Sequence, residues 1–154
     1  MNEADVARIE RACAKLVVRY THLVDFGEAS RIAELFAEDG IWEVGGAGEL
    51  PGGAGRFEGR EALRAMFQGR QEMAQRRSRH VCTNLDIEVE DEAHASGVVY
   101  LQLYRHDFET AVPEATLAPA AAPVAVGQYR DRFVRTDEGW RFALRRAELA
   151  FGTL

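Results

Sequence analysis

Four histidines are the side chains of this sequence whose ordinary pKa lies closest to neutral pH. They are therefore the groups best suited to take and return a proton. His80 is set apart by position, because it opens a stretch in which apolar and polar residues alternate. Read from the residues alone, it is either a general base or a hydrogen-bonded residue on the rim of a sheet. His22-x-x-Asp25 and His106-Asp107 each bring two metal-ligand types together. No HExxH or paired-cysteine pattern accompanies them, so no metal site is expected. No GxSxG marks a nucleophilic serine. Residues 45–56 are glycine-rich but match neither GxGxxG nor GxxxxGK[ST], and they read as a mobile connection or a pocket rim rather than a phosphate cradle.

These side chains must be carried by regular elements, and the periodicity supplies them. Residues 3–26 read as an amphipathic helix with Ile9, Ala12, Cys13, Leu16, Val17, Tyr20, Leu23 and Val24 along one face. Asn2 is placed to cap it and Gly27 to end it. On that apolar face, Cys13 reads as a buried thiol and Tyr20 as a core aromatic with a tethered hydroxyl. A second helix is expected over about 29–37, then a strand at 41–44 after the Asp39-Gly40 turn. A third helix is expected over about 60–76.

From Arg79 the period becomes two, and strands are expected from there to Val89, over 95–105, 124–135 and 140–150. Residues 107–123, rich in Ala and Pro, break the pattern as a loop or flap. Asp137-Glu138-Gly139 is a hairpin turn. Strands joined by short turns pair antiparallel, and helices gathered on one face of such a sheet give an α+β architecture. A length of 154 residues fits one domain, 1–154.

The formal net charge of −6 gives no general attraction to nucleic acid or to anionic membranes. Arg76, Arg77 and Arg79 form a local basic run that reads as a solvated face. Two cysteines without CxxC, an N-terminus lacking a basic and apolar leader, and no bilayer-length apolar run lead to a cytoplasmic expectation.

Several short motifs occur together in order. They are Tyr20-x4-Asp25, Leu35-Phe36-Ala37-Glu38-Asp39-Gly40, Phe57-x-Gly59-Arg60-Glu61-Ala62-Leu63, His80-x-x-Thr83-Asn84-Leu85, Gly127-x-Tyr129-x-Asp131 and Gly139-Trp140-Arg141-Phe142. In this order the chain resembles the SnoaL-like branch of the nuclear-transport-factor-2-like superfamily. The resemblance implies a cone-shaped α+β barrel, in which a curved mixed or antiparallel sheet wraps around helices and encloses a pocket. The superfamily includes scytalone dehydratase, a hexachlorocyclohexane dehydrochlorinase, a bile-acid 7α-dehydratase, ketosteroid isomerase and polyketide cyclases. It also includes proteins with no chemistry, so fold does not fix function.

By the same resemblance, Asp25, His80 and Arg145 stand where the dehydratase and dehydrochlorinase carry catalytic groups, and Tyr20 matches the dehydratase. The implied activity is a cofactor-free lyase, dehydratase or isomerase acting on a small hydrophobic cyclic ligand. The alternatives are a ligand-binding or accessory subunit and a polyketide cyclase. A homodimer or homotrimer is implied as well. Phe36, Trp42, Phe57, Met66, Phe67 and Tyr104 are the candidate apolar wall, and Asn84 is counted with them.

One feature of the sequence opposes this site. In an unbroken strand His80 shares a face with Cys82, Asn84, Asp86 and Glu88, and so acidic a face belongs in solvent. For His80 to look inward, the strand must bulge near Asn84, or only its first half can line the pocket.

Overall fold

The computed structural model describes residues 1–45 and 55–152. The chain runs through helix α1 (Glu3–Asp25), a 3-10 helix (Ala29–Leu35), strands β1 (Phe36–Gly45) and β2 (Arg56–Glu58), helix α2 (Arg60–Gln71), and strands β3 (Arg76–Val89), β4 (His94–Asp107), β5 (Ala125–Thr136) and β6 (Gly139–Gly152).

Helix α1 forms where its apolar stripe predicts, and that stripe is the buried face. Asn2 and Asp5 cap it reciprocally. The Asn2 side chain accepts from the Asp5 backbone N–H at 2.9 Å, and Asp5 accepts from the Asn2 N–H at 3.2 Å. Acidic Glu3 and Asp5 in the first turn also oppose the positive end of the helix dipole. At the other end Gly27 adopts φ +83°, a left-handed conformation that turns the chain away.

The six strands form one sheet in the order β2-β1-β6-β5-β4-β3. Strands β3 to β6 pair antiparallel as sequence neighbours. Strand β1 joins β6 in parallel, and β2 adds antiparallel to β1. The sheet is therefore mixed and open, with β2 and β3 at its edges, rather than closed into a barrel. Helix α1 packs against β3 and β6, and α2 against β1 and the 3-10 helix. The core between these layers holds Leu16, Val17, Ile32, Phe36, Leu63, Phe133 and Phe142, all nearly or fully inaccessible.

Several boundaries differ from the periodicity; strand β1 already begins at Phe36 and runs through Asp39-Gly40, where a turn is expected. The second helix stops at Leu35 because Phe36 is already in the sheet, its ring 5.2 Å from that of Phe142. Helix α2 ends at Gln71, whose side-chain oxygen accepts from the Ser30 N–H and hydroxyl at 3.0 and 2.8 Å. Residues 72–76, expected to be helical, instead lead into β3, where Arg76 sits opposite Asp107. Strand β2 is an addition. Its Phe57 pairs with Trp42, and Arg56 bonds Glu43 at 2.7 Å. Of the glycine-rich connection, residues 46–54 lie outside the described residues.

The β5–β6 pairing shifts register at Val126/Gly127. A Cβ on Gly127 would lie 2.1 Å from the Glu148 carbonyl oxygen and 2.8 Å from the Leu149 Cα. Both are backbone atoms that no rotamer change can move. Gly127→Ala is expected to cost about 1–3 kcal/mol of stability, read as a lower urea midpoint with an unchanged m-value. An unchanged midpoint would show that the two strands part there freely.

Candidate functional site

The contradiction along β3 is resolved by its pairing. Thr83 faces Tyr100 and Asp86 faces Val98, so β3 spends three steps where β4 spends two. The extra residue is a bulge, and Asn84 lies within it at φ +53°, a conformation asparagine tolerates better than most residues. Inward and outward faces exchange across the bulge. Before it Ser78, His80 and Cys82 point inward. After it Ile87 and Val89 pack on the core, while Asp86 and Glu88 are exposed.

At the last turn of α1, Asp25 meets β3. Its Oδ1 is 2.7 Å from His80 Nδ1, and its Oδ2 accepts from the His80 backbone N–H at 2.7 Å. Ser78 donates its hydroxyl to Oδ1 at 2.8 Å, and Arg70 Nη2 donates to Ser78 Oγ at 2.9 Å. A hydrogen-bonded chain thus runs from Arg70 through Ser78 and Asp25 to the imidazole. The side chains of His80 and Asp25 are 11% and 5% exposed. With Nδ1 held by a carboxylate, the ring is fixed in orientation and Nε2 is the nitrogen left to react.

Burial pushes the Asp25 carboxyl up, but the His80 hydrogen bond and charge, the His80 N–H and the Ser78 hydroxyl outweigh it and hold it below its ordinary value. A folded value below the unfolded one means that this stabilisation is complete above about pH 4 and is lost as pH falls through the folded value. Asp25→Asn is therefore expected to lose stability less steeply than the parent chain on acidification below about pH 4. Denaturation midpoints across that range measure it, and parallel acid limbs would contradict it.

His80 lines a cavity of about 190 Å³ together with Tyr20, Val24, Trp42, Met66, Phe67, Arg70, Arg76, Ser78, Leu103 and Arg105. The Tyr20 hydroxyl accepts from Trp42 Nε1 at 3.0 Å, which leaves its own hydrogen to donate. Burial above all pushes that phenol up to about 12, so it stays protonated, although the Arg145 charge opposes the shift. Cys82 is pushed up to about 11 and Cys13 to about 12, both mainly by burial, so neither is a ready nucleophile.

Of the residues singled out in the sequence, His80, Asp25, Tyr20, Trp42, Met66 and Phe67 are brought together here. The others are placed differently. Arg145 is absent from the cavity lining. It is wholly buried, donating Nε and Nη2 to the Asp131 carboxylate at 2.9 and 2.7 Å. Its guanidinium carbon lies 4.4, 4.1 and 4.4 Å from the ring centroids of Tyr20, Tyr129 and Phe142. Burial alone would lower it, yet the Asp131 carboxylate holds it above the ordinary arginine range and therefore charged. Phe36 is core, packed on Phe142. Phe57 packs on Trp42, with centroids 6.1 Å apart, outside the lining. Asn84 is the exposed bulge residue. Tyr104 lies between Leu103 and Arg105 on β4, so the pleat sends it to the opposite face, where its hydroxyl bonds Gln102.

Arg70, Ser78, Leu103, Arg105 and Arg76 were not assigned to a site from sequence. Ser78 and Arg76 are two and four residues before His80, the same-face spacing of a strand. Arg70 follows Met66 and Phe67 by four and three, the same-face spacing of a helix. Leu103 is found only from register, as the partner of His80 on β4.

An open mixed sheet curled over a long helix is the architecture of nuclear-transport-factor-2-like, cystatin-like α+β folds. The chain belongs to the SnoaL-like domain family, whose model matches residues 5–146. Similar crystal structures include an NTF2-like protein with a cystatin-like fold from Novosphingobium aromaticivorans. It is 24% identical with a TM-score of 0.72, covering 96% of this chain and 86% of that one. Another, provisionally named a scytalone dehydratase, comes from the same organism. It is 21% identical with a TM-score of 0.73, covering 97% and 89%. A third is the LinA-type3 hexachlorocyclohexane dehydrochlorinase of Novosphingobium barchaimii, 16% identical with a TM-score of 0.72, covering 99% and 93%. At these identities the likeness establishes the fold. No curated protein is significantly similar to the chain. Among the described residues no helix is long and apolar enough to cross a membrane.

Proposed function

We propose that the chain is a cofactor-independent lyase of the dehydratase type, acting on a small cyclic substrate. The observation that carries this reading is the 2.7 Å contact between His80 Nδ1 and Asp25 inside a cavity walled by Trp42, Met66 and Phe67. His80 Nε2 removes a proton from the carbon next to a carbonyl. The C–H electrons move into the carbonyl, and the Tyr20 hydroxyl donates to the oxygen where charge collects. The enolate then re-forms the carbonyl as the C–O bond to a β-hydroxyl breaks. The Nε2 proton passes to the departing oxygen, and water and a conjugated product leave. Asp25 holds the imidazole tautomer and stabilises the imidazolium between the two steps.

In this scheme Arg145 is a positioning residue rather than a catalytic one. It supports the Tyr20 ring from beneath and is anchored by Asp131. A cavity of about 190 Å³ favours one or two rings over a steroid-sized ligand.

The test is a panel of cyclic β-hydroxy ketones and acids, with growth of conjugated-product absorbance as the readout. Carbon–carbon bond formation in product analysis would instead identify a cyclase. Binding without turnover, undiminished when His80 is replaced, would identify a ligand-carrying module.

A further inference from the structure

Three of the residues around the cavity are arginines, in a chain whose net charge is −6. Arg76 donates Nε and Nη2 to Asp107 at 2.6 and 2.8 Å, and Arg105 lies 3.9 Å from the same carboxylate. One acid therefore serves two of the cations. Arg70 has no carboxylate partner among the described residues. Its Nη2 is tied to Ser78, while Nε and Nη1 have no partner there and are not sealed from solvent. The remaining acid of this region, Asp25, is already engaged by His80 and Ser78.

We infer that the cavity binds a ring compound bearing a carboxylate, with Arg70 taking the carboxylate and Trp42, Met66 and Phe67 taking the ring. The identification of this compound as a substrate rests on the lyase reading; its binding does not. A guanidinium fixed through one nitrogen still offers a pair of parallel donors, the pattern that matches a carboxylate. Burial first, and the Arg76 charge next, push the Arg70 guanidinium down despite Asp25 and Asp107. A bound anion would relieve that unfavourable placement. Arg105 and Arg76 add attraction at the same mouth. The sequence reading of Arg76 as part of a solvated face is thus only half of its role. For the chemistry, pairing the carboxylate with Arg70 offsets the resistance of an anionic substrate to losing a further proton.

The experiment is calorimetric titration with benzoate and with benzamide, which share a ring and differ in charge. Benzoate is expected to bind roughly 10–100-fold more tightly. Arg70→Gln should remove that preference while leaving benzamide affinity within about twofold. Arg105→Gln, which leaves Ser78 tethered, should narrow the preference without abolishing it. His80→Ala should retain the preference, which separates this inference from the fate of the lyase reading. Equal affinities, a preference that survives Arg70→Gln, or failure of both compounds to bind would each overturn it.

Discussion

His80→Ala is expected to lower turnover on the best substrate by roughly 10²–10⁴-fold while the chain stays folded. The two consequences separate because Asp25 grips residue 80 twice. The side chain contributes the 2.7 Å ring contact, but the backbone N–H at position 80 and the Ser78 hydroxyl remain as donors after substitution. The carboxylate keeps two of its three bonds, so a stability loss of about 1 kcal/mol is expected. Asp25→Asn is expected to cost a similar factor in rate by another route. An amide at this place can present its NH₂ to Nδ1, which turns the ring to the tautomer with its proton on Nε2, the wrong nitrogen for a base. Single-turnover rates alongside urea midpoints measure both variants. Full activity in His80→Ala would end the lyase reading.

The largest loss of stability is expected from Asp131→Ala. Arg145 and Asp131 are both fully buried, and two of three guanidinium nitrogens depend on that carboxylate. The third, Nη1, is sealed with no partner among the described residues. Removing the acid strands a cation among the faces of Tyr20, Tyr129 and Phe142, at a cost of about 3–5 kcal/mol. Replacing the pair together, as Asp131→Leu with Arg145→Met, is expected to recover most of that loss or exceed the parent, because neither charge is then desolvated. If the double variant is stable but slow, the pair serves to place Tyr20. If the single variant unfolds at the parent's midpoint, the buried ion pair is not what holds this side of the core.

Much of this was legible in the sequence. Helix α1 and strands β4 to β6 are long enough to repeat their periods several times, so their buried faces follow from residue order. Gly27 and the Asp137-Glu138-Gly139 turn were readable because few residues suit left-handed backbone, and Gly139 adopts φ +100°. Strand β2 was not readable, since three residues display no period. The contact between the last residue of α2, Gln71, and Ser30 joins residues distant in sequence and has no local signal. At the cavity, the resemblance points to Asp25, His80 and Arg145; the first two lie 2.7 Å apart, whereas Arg145 lies beneath the wall, a difference that motif order cannot express. Phe36, Phe57 and Tyr104 lie off the lining for a related reason: aromatic character marks a residue as buried without saying on which side.

The bulge at Asn84 has an effect outside the cavity. Strand β3 is one rim of an open sheet, and an unbroken rim offers backbone donors and acceptors to any extended peptide that drifts alongside. One surplus residue interrupts that row midway, and the Asp86 and Glu88 carboxylates beyond it repel an incoming acidic chain. The irregularity that turns the imidazole inward therefore also discourages strand-by-strand self-association along this border.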